Sequence, residues 1–387
     1  MNMDIYTICY IIGLTMRLLV NASNLSGGGG AQVADSICRY LKDYPQHYFV
    51  VVLSRALGQT ACAIASYSNV EVVSYNYPSH DFKSLFTGRN AFLDGLVNKH
   101  SIDCVLTIFG PMKWRPRCPH VCGFGLSHIV MPESPYFKIL KPFERIVVKS
   151  QIQLSKWIFK RSAETFYTEN PLISERLAKM FKGKKVETIT NNYNQIFDHP
   201  EEWVEKSLPP FDGIQLLDVT AFGPHKNVTI ALDVAKILKE KHLDFKFRFV
   251  FTFEESQYPV IPPEYKENFL FVGKVSIDEC PSLYQQCDIE FQPTLLECFT
   301  ATYPEAMVMR KPIVTTDLEF ARGLCGDAAL YYDALSSESA ADCIYRLAND
   351  KSLYSVLISN GIRTLKKYDS CFTRVMKILR LCECACK

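Results

Sequence analysis

The sequence predicts an α/β protein made of two doubly wound units that face each other across a cleft. Three observations carry this. The chain has 387 residues, too many for one ordinary hydrophobic core and enough for two. Short apolar runs alternate with amphipathic helical patterns along nearly its whole length, which is the signature of parallel sheets covered by helices. The alternation breaks once, in a stretch rich in proline and charge, and then begins afresh. A hydrophobic content of 48% with 22% charged residues fits a globular chain and excludes general disorder.

The first unit opens at "RLLVNAS", read as a buried strand, followed by a glycine run and a helix through "QVADSICRYLKDY". "HYFVVVLS", "VEVVSYN" and "DCVLTIFG" are further buried parallel strands, rich in β-branched residues. "SERLAKMF" is a helix leading to the strand "KVETITN". The segment 197–213 holds the break. Beyond it "IQLLDVT" is a strand and "NVTIALDVAKILKEK" a helix, whose Val228, Ala231, Val234, Ala235 and Leu238 share one face. "KFRFVFT", "FLFVG", "DIEFQP" and "PIVTTD" supply strands, and "SAADCIYRLAND" and "SLYSVLISNGIRTLKKY" supply helices. The pattern defines two Rossmann-like domains. Either Met16 is the functional start or residues 1–15 are a loosely attached extension, in each case expected to lie outside the fold. Residues 16–200 would form the N-terminal domain, 201–365 the C-terminal domain, and 366–387 a terminal helix or tail able to cross back.

Charge and cysteine content bound the function. A formal net charge of +2 gives no electrostatic reason for a nucleic-acid partner. The 15 cysteines are scattered and odd in number, which suits reduced thiols in a cytoplasmic protein. "CPHVC" and "CECAC" lack a second pair at zinc-finger spacing, so they read as incidental thiols and no metal site is assigned.

Four features point to chemistry. Gly27, Gly28, Gly29 and Gly30 lie between the first strand and first helix, where glycine lets a ligand approach the backbone and a helix N-terminus attracts anions. The run does not satisfy G-x-G-x-x-G, which weighs against a dehydrogenase. In "FGPHKNVTI", Lys226 stands just ahead of a helix expected to begin near Asn227, a place suited to a diphosphate. The stretch "ECFTATYPEAM" puts Glu297 beyond the strand "DIEFQP", at the carboxyl end where doubly wound sheets bind ligands. Its second carboxylate, Glu305, has Thr302 three residues before it, the spacing of a capping box. Finally, the basic stretch 137–161 interleaves lysines and arginines with Phe143, Trp157 and Phe159. It is either a pair of packed helices with solvated basic faces or a peripheral membrane contact.

The segments "VTAFGPHKN", "ECFTATYPEAMVMRKPIVTTD", "CGDAALYYD" and "LANDKSLYSVLISNG" resemble the retaining nucleotide-sugar glycosyltransferases of family 4, the group 1 transferases with the two-domain B-type fold. "VNASNLSGGGGAQVA" and "VETITNNYNQIF" extend the resemblance into the first half. It implies a transferase that moves a sugar from a nucleoside-diphosphate donor to a glycan or lipid-linked acceptor, with retention, in polysaccharide or glycoconjugate biosynthesis. The nucleotide sugar is then a substrate, and no cofactor is expected. By the same resemblance Glu297 addresses the donor sugar, Glu305 the ribose hydroxyls and Lys226 the diphosphate. Amides around Cys298, Phe299 and Thr300 would meet sugar and phosphate, with the glycine run opposite. Two departures stand out: Ala221 replaces an arginine usual in the family, and "CFT" replaces "GFG". They leave His225 as a candidate supplementary donor ligand. No Asp-x-Asp pair occurs, in keeping with a metal-independent site. An acceptor-activating base is expected in "PHVCGFGLSHIV", with His120 preferred to His128. The alternatives are an epimerase of the same fold or a degenerate, non-catalytic binding subunit.

Overall fold

The computed structural model describes residues 15–78 and 81–387; the expectation for residues 1–15 lies outside these, apart from Thr15. Two all-parallel sheets organise the chain. The first has seven strands in the order β3-β2-β1-β4-β5-β6-β7. They are β1 (Arg17–Ala22), β2 (Tyr48–Leu53), β3 (Val70–Ser74), β4 (Cys104–Thr107), β5 (His120–Gly123), β6 (Thr165–Thr168) and β7 (Lys185–Thr188). The second has six, in the order β10-β9-β8-β11-β12-β13. These are β8 (Ile214–Asp218), β9 (Phe247–Phe251), β10 (Phe269–Phe271), β11 (Ile289–Gln292), β12 (Ile313–Thr316) and β13 (Ala329–Tyr332).

Both sheets reverse winding direction beside their first strand, between β1 and β4 and between β8 and β11. At such a switch point the connections leave to opposite faces and open a crevice at the strands' carboxyl ends. The central strands are buried on both faces, as parallel strands covered by helices must be. Every residue of β9 is buried, and so is every residue of β4, β5 and β6.

Three strands escape the sequence reading. β5, β6 and β13 have four residues each, but so do β4, β7, β11 and β12, which the sequence does reveal. In β5 the pattern is broken by Gly123, which the packing demands. A Cβ there would sit 1.9 Å from the Ile108 carbonyl oxygen and 2.7 Å from the Tyr167 ring.

The helix expected from "NVTIALDVAKILKEK" forms at Ile230–Lys241 and buries Ala231, Val234, Ala235 and Leu238 against the second sheet. The helix Cys371–Ala385 inserts Val375, Ile378, Leu379, Leu381 and Cys382 into the core of the first sheet, beside Leu18, Val20 and Leu106. The last segment of the chain thereby completes the core that its first strand begins. The basic stretch folds as a short helix, Tyr136–Ile139, and a long one, Pro142–Ser162. No helix among the described residues is long and apolar enough to cross a membrane.

Candidate functional site: a cleft between the two switch points

A cleft of about 380 Å³ opens where the carboxyl ends of both sheets meet. Its first-sheet wall takes Asn24, Gly29, Gly30 and Ser36 from the segment after β1, Phe109 and Gly110 after β4, Glu169 after β6, and Asn191 to Asn194 after β7. Its second-sheet wall takes Glu297, Cys298, Phe299, Ala301 and Glu305, and Arg374 reaches in from the C-terminal helix.

The glycine run is not a loop before a helix but the first turn of one, Gly28–Arg39. Gly27 and Gly28 have φ of +142° and +66°, values that side-chain-bearing residues avoid. A Cβ on Gly27, Gly28 or Gly29 would meet no protein atom within 4 Å. These glycines therefore do not serve to relieve packing. No side chain caps this helix, so its first N–H groups point out unpaired by a cap, in the manner of an anion site. Gly29 and Gly30 line the cleft, whereas Gly27 and Gly28 stand at its approach.

On the other wall, Lys226 does not sit at an α-helix N-terminus as expected. It ends a short 3-10 turn, Pro224–Lys226, followed by Asn227 in the left-handed region at φ +52°, and the α-helix starts only at Ile230. The turn brings Lys226 Nζ to 2.5 Å from Glu297 Oε1. Thr294 Oγ1 lies 3.0 Å from the same oxygen, and Leu295 N–H donates to the His225 carbonyl at 2.8 Å. The loops after β8 and β11 are thus clamped into one unit. Burial acts to lower the Lys226 pKa, but the Glu297 carboxylate outweighs it and the net direction is up. The lysine stays charged, as a diphosphate ligand must. Glu297 lines the cleft; His225 and Lys226 lie just behind it. Burial lowers the His225 pKa, so its ring is a neutral neighbour rather than a third cation.

Glu305 does not cap its helix. The helix Thr302–Val308 has Ala301 at its N-cap and no side-chain capping bond. Thr302 Oγ1 is taken by Gln292 Nε2 at 2.7 Å and by Thr300 Oγ1 at 2.9 Å. The polar strand residue Gln292 thereby outbids the local box, and Glu305 turns to the cleft with only the Tyr284 hydroxyl nearby, at 3.4 Å. Burial raises its pKa to about 7. Thr300 is buried and does not line the cleft, while Cys298 and Phe299 do. The Cys298 carbonyl accepts from Asn170 Nδ2 at 3.1 Å, a bond that joins the two walls.

His120 is the clearest departure from expectation. It lies within β5, in the core, with Nδ1 2.6 Å from the Ser162 carbonyl and Nε2 2.9 Å from Thr107 Oγ1. A carbonyl only accepts, so Nδ1 carries the proton and the threonine hydroxyl donates to Nε2. Both ring nitrogens are used, burial pushes the pKa down to about 4, and the residue does not reach the cleft. His120 cannot serve as an acceptor base there. His128, in the short helix Ser127–Val130, does not line the cleft either.

Several polar residues of the site were not foreseen. Asp218 ends β8 and Glu290 lies within β11; both are 1% exposed and neither carboxyl has a hydrogen-bond partner. Burial raises both pKa values well above the ordinary range; at Asp218 the pull of Lys226 opposes it and Glu297 adds to it, and at Glu290 the carboxyls of Asp218 and Glu305 add to it. They are held neutral behind the lysine. Glu169 and Arg374 face the cleft from the first-sheet side, 7% and 2% exposed. Arg374 Nη2 donates to Ser36 Oγ at 2.8 Å, but its Nε and Glu169 Oε1 have no partner.

Two parallel doubly wound sheets with a cleft between their carboxyl ends define the two-domain B-type fold of glycosyltransferases. Residues 200–364 match the family model for glycosyl transferases group 1. No curated protein matches the chain. Among solved structures, a glycosyltransferase from Rickettsia africae is similar at TM-score 0.66 and 16% identity, over 96% of this chain and 99% of that one. Sucrose-phosphate synthase from Thermosynechococcus elongatus is similar at TM-score 0.67 and 12% identity, over 95% and 98%. HepE from Anabaena, determined in complex with UDP and glucose, is similar at TM-score 0.64 and 14% identity, over 95% and 99%. At these identities the likeness is one of fold.

Proposed function

We propose that the protein is a retaining glycosyltransferase that moves a sugar from a nucleoside-diphosphate donor to a glycan or lipid-linked acceptor, in polysaccharide or glycoconjugate biosynthesis. The observation that carries this reading is the clamped Lys226–Glu297 pair at the second sheet's switch point, 2.5 Å apart, opening on a cleft whose far wall is an uncapped glycine helix. Cleavage of the donor's C1–oxygen bond leaves the electron pair, and so the growing charge, on the diphosphate. Lys226, behind Glu297, and the helix N–H groups on the far wall supply the positive potential that favours it. Glu297 accepts hydrogen bonds from the sugar hydroxyls and Glu305 from the ribose. The match of residues 200–364 to group 1 transferases supports the same assignment.

A thermal-shift screen of UDP-, GDP- and ADP-hexoses tests it, since a bound donor stabilises by RT ln(1 + [L]/Kd). The donor that raises Tm is then incubated with acceptors and the products weighed. Conversion of the donor to its epimer with no acceptor present would point to an epimerase. Binding without turnover under any condition would point to a non-catalytic subunit.

The helix Pro142–Ser162 favours a peripheral membrane role at the cytoplasmic face. Phe143, Ile146, Leu154 and Trp157 are exposed at helical spacing along one side, and Phe143 is 76% exposed. Arg145, Lys149, Lys156 and Lys160 flank that side, the arrangement of an interfacial helix. Sedimentation with phosphatidylserine vesicles at low salt, absent with neutral vesicles, is the expected result.

A further inference from the structure

We infer that Glu169, with Arg374 beside it, forms the acceptor subsite, that the acceptor is a neutral sugar hydroxyl, and that Glu169 takes its proton. The inference rests on the transferase reading above. Glu169 follows β6 at the carboxyl end of the first sheet, on the wall opposite Glu297, and it lines the same cleft. It is 93% buried by its 7% exposure, yet Oε1 has no hydrogen-bond partner. Arg374, 2% exposed, likewise leaves Nε unpartnered. The two side chains are close enough to interact electrostatically, but they form no ion pair with each other. A buried donor and a buried acceptor without partners each cost about 1–3 kcal/mol, so neither side chain is held in place by a bond at that atom, and both belong to residues that line one cavity. A hydroxyl suits such a pair, because it donates and accepts.

The rest of this wall points to a sugar. Asn24, Asn191, Asn192 and Asn194 line it with Phe109 and Tyr193, amides to bond hydroxyls and rings to cover the apolar face. An anionic acceptor is disfavoured by charge. Among the described residues lining the cleft, Arg374 is the one basic side chain, against Glu169, Glu297 and Glu305.

In the transfer step the acceptor oxygen forms its bond to C1 of the donor sugar on the face from which the diphosphate departs, so configuration is kept; the C1–oxygen bond to the diphosphate breaks with its electron pair on the phosphate, and the acceptor proton passes to Glu169. Burial puts the Glu169 pKa at about 7, with Arg374 lowering it in part. The titratable groups facing it are Arg374 on the C-terminal helix, Tyr167 on its own strand and Cys298 on the opposite loop. Tyr167 and Cys298 have their own pKa values raised well above normal by burial and stay neutral.

The test uses the full chain, the nucleotide sugar that shifts Tm most, and the methyl glycosides of glucose, galactose, mannose and N-acetylglucosamine. One or more of these should be glycosylated, and Glu169→Gln should lower kcat by roughly 10²-fold or more with the donor-induced Tm shift intact. The wild-type rate should rise with pH through a limb near 7, and that limb should vanish in Glu169→Gln. If this variant does not fold, Glu169→Asp retains the titrating carboxyl at a shorter reach and should lower kcat while keeping the limb. Wild-type kinetics in the variant that folds would overturn the role of Glu169 and leave the transferase reading standing. Donor turnover with no methyl glycoside accepted, or a preference for glucose 6-phosphate over methyl glucoside, would overturn the acceptor class. If no nucleotide sugar binds or turns over with wild type, the transferase reading fails and this inference fails with it.

Discussion

The two walls of the cleft are built in opposite ways. The second-sheet wall is charge-paired and local: Lys226, Thr294 and Glu297 lie on two adjacent loops and close on each other at 2.5 and 3.0 Å. The first-sheet wall is assembled from distant segments, with Ser36, Glu169 and Arg374 separated by more than a hundred residues each, and the unpartnered buried atoms on its Glu169 and Arg374 belong to residues that line the cleft, whereas those of the second sheet, on Asp218 and Glu290, lie behind its wall. A wall whose charges satisfy one another is a rigid platform for an invariant ligand part. A wall with open valences is completed only by what it binds. Donor recognition fits the first description and acceptor recognition the second.

The largest effect should come from removing the segment that joins the two. Deleting residues 366–387 strips Val375, Ile378, Leu379, Leu381 and Cys382 from the first sheet's core. Each full burial is worth about 1.5–3 kcal/mol, so the five together forfeit roughly 8–15 kcal/mol, as much as the roughly 5–15 kcal/mol that keeps a domain folded. The truncated chain should be insoluble, or lack a cooperative unfolding transition by circular dichroism. A soluble truncation with wild-type melting would break the comparison, because the first-sheet wall would then stand without Arg374.

Next in size is Glu297→Gln. It removes the partner of a Lys226 side chain that is 18% exposed, leaving a largely buried cation without its counter-charge. Transfer should fall by about 10²–10³-fold, the cost of one misplaced electrostatic contact at a reacting centre, and Tm should drop. Unchanged turnover would remove the second-sheet wall from the chemistry.

How much of this is written in the sequence follows the same division. Glu297 and Lys226 are legible because strand-end loops of a doubly wound pattern carry ligands, and "DIEFQP" and "IQLLDVT" announce their strands by apolar content. Arg374 is not legible, because the sequence allows a terminal helix to cross back but nothing local says which of its residues then meets the cleft. Glu169 is hidden for a different reason: it follows β6, a strand the sequence pattern does not reveal. His120 misleads because a histidine just after a proline in a glycine-rich stretch reads as loop, while the fold uses it as a core strand residue. The Thr302–Glu305 box fails because a tertiary partner, Gln292, claims the threonine that the local rule assigns to the helix end.

Glu305→Gln offers a smaller effect with an inverted sign. A carboxyl whose pKa rises from 4.5 to about 7 on folding binds its proton more tightly in the folded state. Its contribution is complete below pH 4.5 and is lost as pH rises through 7. At 1.36 kcal/mol per unit, the loss amounts to roughly 3 kcal/mol. The neutral glutamine escapes it, so the variant should melt higher than wild type at pH 8 and similarly at pH 5. Donor affinity should fall at the same time, by about tenfold. A variant less stable than wild type at pH 8 would show that Glu305 is ionised and satisfied in the free protein.

The smallest effect should come from a hydrogen bond that ties the walls across the cleft. Asn170 donates from Nδ2 to the Cys298 carbonyl at 3.1 Å while its Oδ1 accepts from Leu172 N–H at 3.0 Å, capping the helix Pro171–Met180. Asn170→Asp keeps the cap, since a carboxylate oxygen still accepts at the helix start, but it sets an oxygen against the Cys298 carbonyl. Asn170→Ala loses both bonds. If the tie matters only to stability, the alanine variant should lose about 1–2 kcal/mol and the aspartate variant less. If it sets the spacing of the two walls, the aspartate variant should instead show the larger rise in acceptor KM, with the donor-induced Tm shift preserved. The second pattern is expected, because the loop that carries Cys298 also carries Glu297, and moving it relative to Glu169 changes the distance between the two carboxyls that must meet donor and acceptor together.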